Sequence, residues 1–144
     1  MSHHQLSPAA ESLRQQIKHM ITDATPKPSN SQYNETTVFE QDKNGNKVYD
    51  GILLDRKVSE LKKQMDLGEE WGWSLAYFFQ SRPLINKFSR MWLVPLSEKA
   101  IITPVPRPLE DDSPGVALRE GFCTLIVDQP TLSLDSTVLF IAPQ

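Results

Sequence analysis

The fold prediction depends on residues 71–92, WGWSLAYFFQSRPLINKFSRMW, which hold seven of the chain's twelve aromatic residues and all three tryptophans. In the first half of this segment, apolar side chains recur at i, i+4, i+7 and i+8, a spacing that places them on one face of an α-helix. The same spacing returns after Pro83. Proline suits the first turn of a helix, so a new helix is expected to begin there. The segment therefore predicts one amphipathic helix over residues 69–81 and another that starts at Pro83. The two apolar stripes are Trp71, Leu75, Phe78 and Phe79, and then Leu84, Ile85, Phe88, Met91 and Trp92.

Three interpretations of this aromatic segment are open. The helical spacing first of all predicts that most of the rings are buried in the core. Three basic residues are interleaved with them, so exposed rings would form a platform on which the bases of single-stranded nucleic acid can stack. Exposed rings would equally suit a protein interface, where Trp, Tyr and Arg often dominate the binding energy. The candidate binding residues are Trp71, Trp73, Tyr77, Arg82, Lys87 and Arg90.

After Trp92 the pattern changes from helical to extended. Four short segments are rich in Val, Ile, Leu, Phe and Thr and are bounded by Pro, Gly, Asp and Ser, which is typical of β-strands. The last of them is so apolar that residues 137–142 are expected in the centre of a sheet or in a contact between copies of the chain. The predicted strands are residues 93–96, 100–105, 116–128 and 136–142.

A proline-rich and then acidic segment, residues 104–115, lies between two of these strands. Proline cannot donate a hydrogen bond to a sheet ladder, so the segment predicts an exposed loop of polyproline type. Its candidate partner contacts are Pro106, Arg107 and Pro108.

The N-terminal part predicts a helix that stands apart from the rest of the chain. Residues 7–22 have an amphipathic helical pattern, with Ser7 placed to cap the first turn. The next twelve residues are polar and contain two prolines, as linkers do. We therefore expect a helical arm and flexible linker over residues 1–34, followed by one domain over residues 35–144. The arm's apolar stripe, which a partner would have to cover, is Leu13, Ile17, Met20 and Ile21.

Residues 36–54 predict a β-hairpin, because Asn44-Gly45 is a strong signal for a type I′ turn in which both residues have positive φ. Part of this turn also matches the spacing of a calcium loop. A turn explains it better, since Lys47 and Leu53 stand where an EF-hand loop needs Gly and Glu. Residues 58–67 predict a short helix that ends at a glycine. The expected fold class is α+β: an N-terminal arm helix and linker, a β-hairpin, three short helices and a mainly antiparallel C-terminal sheet.

The composition offers little catalytic or metal-binding chemistry. One cysteine and three histidines among 144 residues show no spacing typical of a zinc site. Cys123 lies in an apolar strand pattern, which favours a small core side chain over a nucleophile. No Gly-rich phosphate loop is present in the sequence. We therefore expect no catalytic residues, no cofactor and no metal, and a chain that is not an enzyme.

The sequence predicts a non-enzymatic interaction protein, a structural or accessory subunit of a larger multi-protein or virion-like assembly. It would contact protein partners or copies of itself through the arm helix, the aromatic helices and the proline-rich loop. The alternative is a single-stranded nucleic-acid-binding protein that uses residues 71–92. Residues 71–100 hold four basic side chains against one acidic, although the whole chain has a net charge of −3. With no run of about 18 apolar residues and no apolar leader, we expect no membrane contact and a location in the cytoplasm or within an intracellular assembly.

Overall fold

A computed structural model describes residues 1–28, 36–103 and 115–144 of the chain. Within these ranges the chain forms two helices and twelve strands, so it is mostly β. The elements are β1 (Ser2–Gln5), α1 (Pro8–Thr22), β2 (Thr25–Pro26), β3 (Val38–Gln41), β4 (Lys47–Asp50), α2 (Ile52–Gln64), β5 (Trp71–Phe78), β6 (Arg82–Pro83), β7 (Met91–Pro95), β8 (Ile101–Thr103), β9 (Val116–Ala117), β10 (Phe122–Ile126), β11 (Thr131–Leu132) and β12 (Ser136–Pro143).

The strands form two sheets. The large sheet has eight strands in the order β1-β10-β7-β12-β5-β4-β3-β2, and the small sheet has four in the order β6-β11-β8-β9. Neighbouring strands are antiparallel except β2 and β3, which are parallel. Strand β12 pairs with β5 along its whole length and with β7 on its other side. The apolar segment at residues 137–142 therefore lies in the centre of the large sheet, one of the two predicted positions.

The large sheet is the middle of three layers. Successive side chains of a strand point to opposite faces of its sheet. In β12, Val138 and Phe140 join an apolar cluster with residues of the small sheet, while Leu139 and Ile141 join a second cluster with both helices. The large sheet is thus covered by helices on one face and by the small sheet on the other.

The prediction of two helices within residues 69–92 is wrong. The predicted α+β arrangement with three short helices is therefore wrong as well. Residues 71–78 form the strand β5, and the chain becomes extended again at β7. Ala76 and Phe78 face the small sheet, while Leu75 and Trp73 pack on the helix side. Because apolar side chains are needed on both faces of β5, the polar–apolar alternation of a strand is missing and the pattern mimics a helix.

The prediction that the N-terminal helix is an arm apart from the rest of the chain is also wrong. Helix α1 itself forms where residues 7–22 predict it. The Ser7 side chain accepts a hydrogen bond of 3.2 Å from the backbone N–H of Ala10, which caps the first turn. Ile17 is fully buried in one apolar cluster with residues of α2 and the large sheet. The rest of the predicted stripe, Leu13, Met20 and Ile21, packs against the same cluster. The chain itself covers the stripe, so no partner is needed there. The domain boundary predicted at residue 34 falls in 29–35, outside the described residues, and stays a prediction.

The predicted hairpin forms from β3 and β4, but with a different turn. The backbone N–H of Asp42 donates to the carbonyl of Asn46 (3.0 Å), and that of Gly45 donates to the carbonyl of Asp42 (3.2 Å). A type I′ turn needs a positive φ at both Asn44 and Gly45, but only Gly45 has one, of 85°. The prediction of a type I′ turn is therefore wrong. A turn closed by one left-handed glycine is the other common way to end a hairpin.

Helix α2 begins earlier than predicted. It spans Ile52–Gln64 rather than residues 58–67, so it takes in residues that the sequence assigned to the hairpin. Gly51, just before the helix, has a φ of 146°, and a Cβ there would lie 3.2 Å from backbone atoms of Thr36 and Thr37. Glycine is suited to such a tight bend between strand and helix.

A charged cluster joins α1 to the turn before β10. The buried Arg14 donates to both carboxylate oxygens of Glu11, at 2.6 and 2.7 Å, and lies 3.6 Å from Glu120. Lys18 donates to the same Glu120 carboxylate at 2.7 Å. The hydrogen bonds from Arg14 lower the pKa of Glu11 below its ordinary value.

This cluster predicts acid sensitivity. Because the pKa of Glu11 is lower in the folded chain, its stabilising effect is complete above the ordinary value of 4.5 and is lost as the pH falls through the lowered value. The variant Glu11→Gln should therefore be less stable than wild type at pH 7, and the gap in urea-unfolding free energy should narrow at pH 3. The control is Glu69→Gln. It removes an exposed carboxylate that makes no ion pair in the described part of the chain, so its effect on stability should not depend on pH in this way. A gap that stays constant with pH would contradict the role of Glu11.

Candidate functional site

An open apolar groove with a volume of 350 Å³ lies between the large sheet and one edge of the small sheet. Its walls come from β4, β5, β7 and β12 of the large sheet, and from β6 of the small sheet with the two residues that follow it. We call this feature the groove. Its lining residues are Val48, Ser74, Ala76, Phe78, Arg82, Pro83, Leu84, Ile85, Met91 and Phe140.

The groove exists because the small sheet does not cover the whole face of the large one. Val48 lies opposite Ala76 in the β4–β5 pairing and on the same face. Ala76 is buried, yet Val48 is 52% exposed. The floor remains well packed, with the rings of Phe78 and Phe140 in tilted contact at 5.8 Å between centroids. The groove is thus an apolar surface with a firm base and an open side.

Residues 84–90, which we call the anchored loop, form one wall of the groove. Two of its side chains are buried: Leu84, whose backbone N–H donates to the carbonyl of Pro130 (2.8 Å), and Asn86. The Asn86 amide donates to the backbone carbonyls of Ile126 (3.1 Å) and Asp128 (3.0 Å). These bonds fix the loop to the end of β10.

The anchored loop presents its other apolar side chains to solvent. Ile85 is 73% exposed and Phe88 is 49% exposed. Ser89, next to Phe88, has a φ of 55°, a left-handed conformation that non-glycine residues adopt rarely. Its backbone N–H donates to the carbonyl of Asn86 (3.2 Å), which closes the turn. Apolar exposure here follows from a backbone held by specific hydrogen bonds.

Three cations of this region rest on aromatic rings. The guanidinium of Arg82 lies 4.7 Å from the centroid of the Phe78 ring, and the ammonium of Lys87 lies 5.6 Å from that of Phe88. Arg90 lies 5.3 Å from a ring of Trp71, which packs on the helix side of the large sheet and not in the groove. None of the three forms an ion pair with a carboxylate in the ranges that the structure describes. Their charges are therefore available to a partner.

The structure separates the aromatic residues that the sequence grouped together. Trp73 donates from Nε1 to the carboxylate of Asp55 (2.8 Å) on the helix side of the large sheet. Tyr77 donates to Asp135 (2.7 Å), which raises the pKa of the tyrosine. Arg82, by contrast, lies in the groove on the opposite side of that sheet. Trp71, Trp73 and Tyr77 do not form one continuous platform with Arg82. Pro106, Arg107 and Pro108 lie outside the described residues and stay predictions.

Sequence reasoning missed the apolar part of the site. It placed Ile85 in a helical stripe facing the core, and it assigned no role to Val48 or Phe140. One signal for the loop was available, because Pro83 and Asn86 are typical of turns and irregular segments. The exposure of Val48 had no sequence signal, since it depends on how far the small sheet extends.

The described residues contain no group of three or more His, Cys, Asp or Glu placed to hold a metal ion. Within the same ranges, the chain has no helix of the length and apolarity needed to cross a membrane.

Cys123 is a buried residue on the helix side of the large sheet. Burial raises the pKa of its thiol, so little of the reactive thiolate forms at neutral pH. We expect the native chain to react slowly with Ellman's reagent at pH 8 and rapidly in urea. A control variant, Ser2→Cys, adds an exposed thiol on β1 and should give one fast equivalent in the native state. Fast labelling of native wild type would contradict the burial of Cys123.

No protein-family model matches the chain, and no curated protein matches its sequence. Among solved structures, it is similar to the Drosophila melanogaster CENP-C cupin domain, with 15% identity, a TM-score of 0.44 and coverage of 94% of this chain and 96% of that chain. It is also similar to Drosophila melanogaster CENP-C in a crystal structure of that protein bound to CAL1, with 12% identity, a TM-score of 0.44 and coverage of 93% and 98%. Likenesses at this level assign neither a family nor a function to the chain.

Proposed function

We propose that the chain is a non-enzymatic protein-interaction domain, an accessory subunit of a larger assembly, whose binding surface is the groove with its anchored loop. The observation that carries this proposal is the exposure of Val48 and Ile85 around an otherwise packed apolar floor. Folded monomers keep contiguous apolar surface small, because water penalises it, and larger patches mark binding sites. A partner that covers these side chains would gain the free energy of removing them from water.

The backbone of this surface is already ordered before binding. Leu84 and Asn86 hold the anchored loop against the segment after β10 through three backbone-directed hydrogen bonds. A partner therefore does not have to supply the free energy of ordering the loop, which is one of the main costs of association. This favours a recognition surface over an accidental exposure of apolar residues.

The lining of the groove supports binding over catalysis. Of its ten lining residues, Arg82 alone is charged and Ser74 alone carries a hydroxyl. General acid–base catalysis needs a titratable group near the reacting atoms, and nucleophilic catalysis needs a base beside the nucleophile. Among the described residues, the lining of the groove has neither arrangement.

A single-stranded nucleic-acid-binding protein is the second candidate. It is favoured by Arg82 and Lys87, each of which lies over an aromatic ring beside the groove, since rings and cations together recognise bases and phosphates. Its affinity for a poly(dT) oligonucleotide should fall steeply with salt, because each phosphate contact releases counterions. An affinity that does not change with salt, or no binding, excludes this candidate.

Affinity capture from a native extract tests the proposed function. Three baits are compared: the full wild-type chain, Ile85→Asp in the anchored loop, and Gln16→Asp on the exposed side of α1. We expect wild type and Gln16→Asp to capture the same proteins and Ile85→Asp to lose them at least tenfold, because a buried carboxylate without a partner opposes binding. Since Ile85 is exposed, the circular dichroism and melting temperature of Ile85→Asp should match wild type. Equal capture by all three baits would contradict the proposal.

A further inference from the structure

We infer that the partner docks through an acidic–apolar peptide segment: one aliphatic or aromatic side chain enters the groove, and a neighbouring Asp or Glu carboxylate pairs with Arg82. This inference rests on the proposed function, because it specifies the chemistry of the partner at the same site.

The size of the groove sets the scale of the contact. A volume of 350 Å³ is near the lower end of the range for small-ligand pockets, about 300–1,000 Å³. Its floor, built by Phe78, Met91 and Phe140 between the sheets, is apolar. A site of this size accepts one or two apolar side chains of an extended segment. The remaining affinity must then come from the rim.

Arg82 is the one charged group in the lining, and its position favours a carboxylate. The Arg82 side chain is exposed, and its guanidinium lies 4.7 Å from the centroid of the Phe78 ring, at the edge of the groove floor. A guanidinium stacked in this way keeps its N–H donors free at the edge, where they match the two oxygens of a carboxylate. Bidentate pairing of a carboxylate with arginine is both stronger and more specific than its contact with lysine.

Asp42 is a described carboxylate close enough to Arg82 to interact with its charge, and it already has hydrogen-bond partners. Asp42 accepts hydrogen bonds from the side chain and backbone of Asn46 and from the backbone of Asn44. These bonds, the Asn46 side chain first, lower the pKa of Asp42, and the charge of Arg82 adds a smaller effect. Glu40 lies 3.5 Å from Lys27. Within the described ranges, no carboxylate lies within ion-pair distance of Arg82, so its charge is available to an incoming acid.

A second cation extends the same complementarity along the anchored loop. Lys87 stands between the exposed Ile85 and Phe88 and makes no ion pair within the described residues. An acidic segment would meet positive charge beyond the groove, which speeds encounter and rejects basic partners. The groove together with Arg82 and Lys87 fits peptides with acidic and apolar residues better than uncharged peptides.

Selection from a phage-displayed library of random 12-residue peptides tests this inference. Four versions of the full chain are compared: wild type, Arg82→Glu, Ile85→Asp and Arg56→Glu. Arg56→Glu is the matched control, because it changes an exposed arginine of α2. Peptides enriched on wild type should carry Asp or Glu within about four residues of a large apolar residue, the reach of an extended segment along the groove. Their affinity should fall at least tenfold on Arg82→Glu and stay within twofold on Arg56→Glu. Selection on Arg82→Glu should enrich Lys or Arg in place of the acids.

The outcomes separate the two proposals. Peptides that lose binding on Ile85→Asp but contain no acids, or bind Arg82→Glu unchanged, would overturn the acidic–apolar inference and leave the groove as a binding site. Peptides that ignore Ile85→Asp, or no enriched peptides at all, would overturn both. Binding of a dT20 oligonucleotide that depends on Arg82, with no peptide binding, would also overturn the inference in favour of nucleic acid. The melting temperature of each variant should lie within 2 °C of wild type, which corresponds to a change of less than about 1 kcal/mol in unfolding free energy. This verifies that each variant is folded.

Discussion

The variant Phe78→Ala is expected to lose about 3–5 kcal/mol of unfolding free energy, whereas Phe79→Ala should lose no more than about 1 kcal/mol. Phe78 is the last residue of β5 and Phe79 follows it directly, and the extended backbone there points their side chains in opposite directions. Phe78 is 9% exposed and packs on Phe140 between the sheets, while Phe79 is 56% exposed and lies beside the hairpin turn at Gly45. Removing a buried ring leaves a cavity, and removing an exposed one does not.

Urea unfolding followed by tryptophan fluorescence measures both variants against wild type. The pair separates the strand from the helix that the sequence predicts, because that helix would bury both rings on one stripe. Losses of similar size for Phe78→Ala and Phe79→Ala would contradict the β5 strand. The backbone hydrogen bond from Phe79 to the side chain of Asn46 is kept in the variant, so it does not disturb the comparison.

The variant Ile17→Ala is expected to lose about 2–5 kcal/mol, because its side chain is fully buried in the cluster that α1 shares with α2 and the large sheet. The adjacent Gln16→Ala, on the exposed side of the same helix, should change the unfolding free energy by less than about 0.5 kcal/mol. Both are measured by urea unfolding with circular dichroism. An unfolding midpoint for Ile17→Ala equal to that of wild type would mean that α1 is a detached arm after all.

Local turn chemistry made part of the fold predictable. The hairpin of β3 and β4 is signalled by Asn44-Gly45, since Gly45 takes the positive φ that the turn needs. The C-terminal strands β7, β8 and β12 are signalled by short runs of β-branched and other apolar residues between prolines and glycines. The single strand predicted over residues 116–128 is wrong, because a turn divides it into β9 and β10, which belong to different sheets. Both signals act over a few residues, so they survive without knowledge of the rest of the chain.

The region around β5 and β7 was not predictable in the same way. A strand covered on both faces needs apolar side chains at consecutive positions, and such a run fits a helical stripe as well as a strand. The distinction between Leu75 and Phe78, which join different clusters, depends on sheets formed by residues about sixty positions away. Strand β1 carried no signal either, because the polar residues Ser2–Gln5 extend only by pairing with β10.

The site shows the same division between local and distant information. The basic residues Arg82 and Lys87 were recognised as candidate contacts because charge and aromatic neighbours are visible in the sequence. Helix α1 was predicted with its correct ends, yet the stripe around Ile17 looks the same whether a partner or the chain's own sheet covers it. The exposure of Val48 follows from the limited width of the small sheet, which no local pattern encodes.

Site-specific photocrosslinking tests the role of the groove most directly. The photoreactive amino acid p-benzoyl-phenylalanine is placed at position 85 in the full chain, and at position 16 as the control, and native extracts are irradiated. Position 85 is predicted to give discrete protein adducts that disappear when Val48→Asp is added, while position 16 gives none. The absence of protein adducts at position 85, or equal adducts at both positions, would contradict the assignment of the groove as a protein-binding surface.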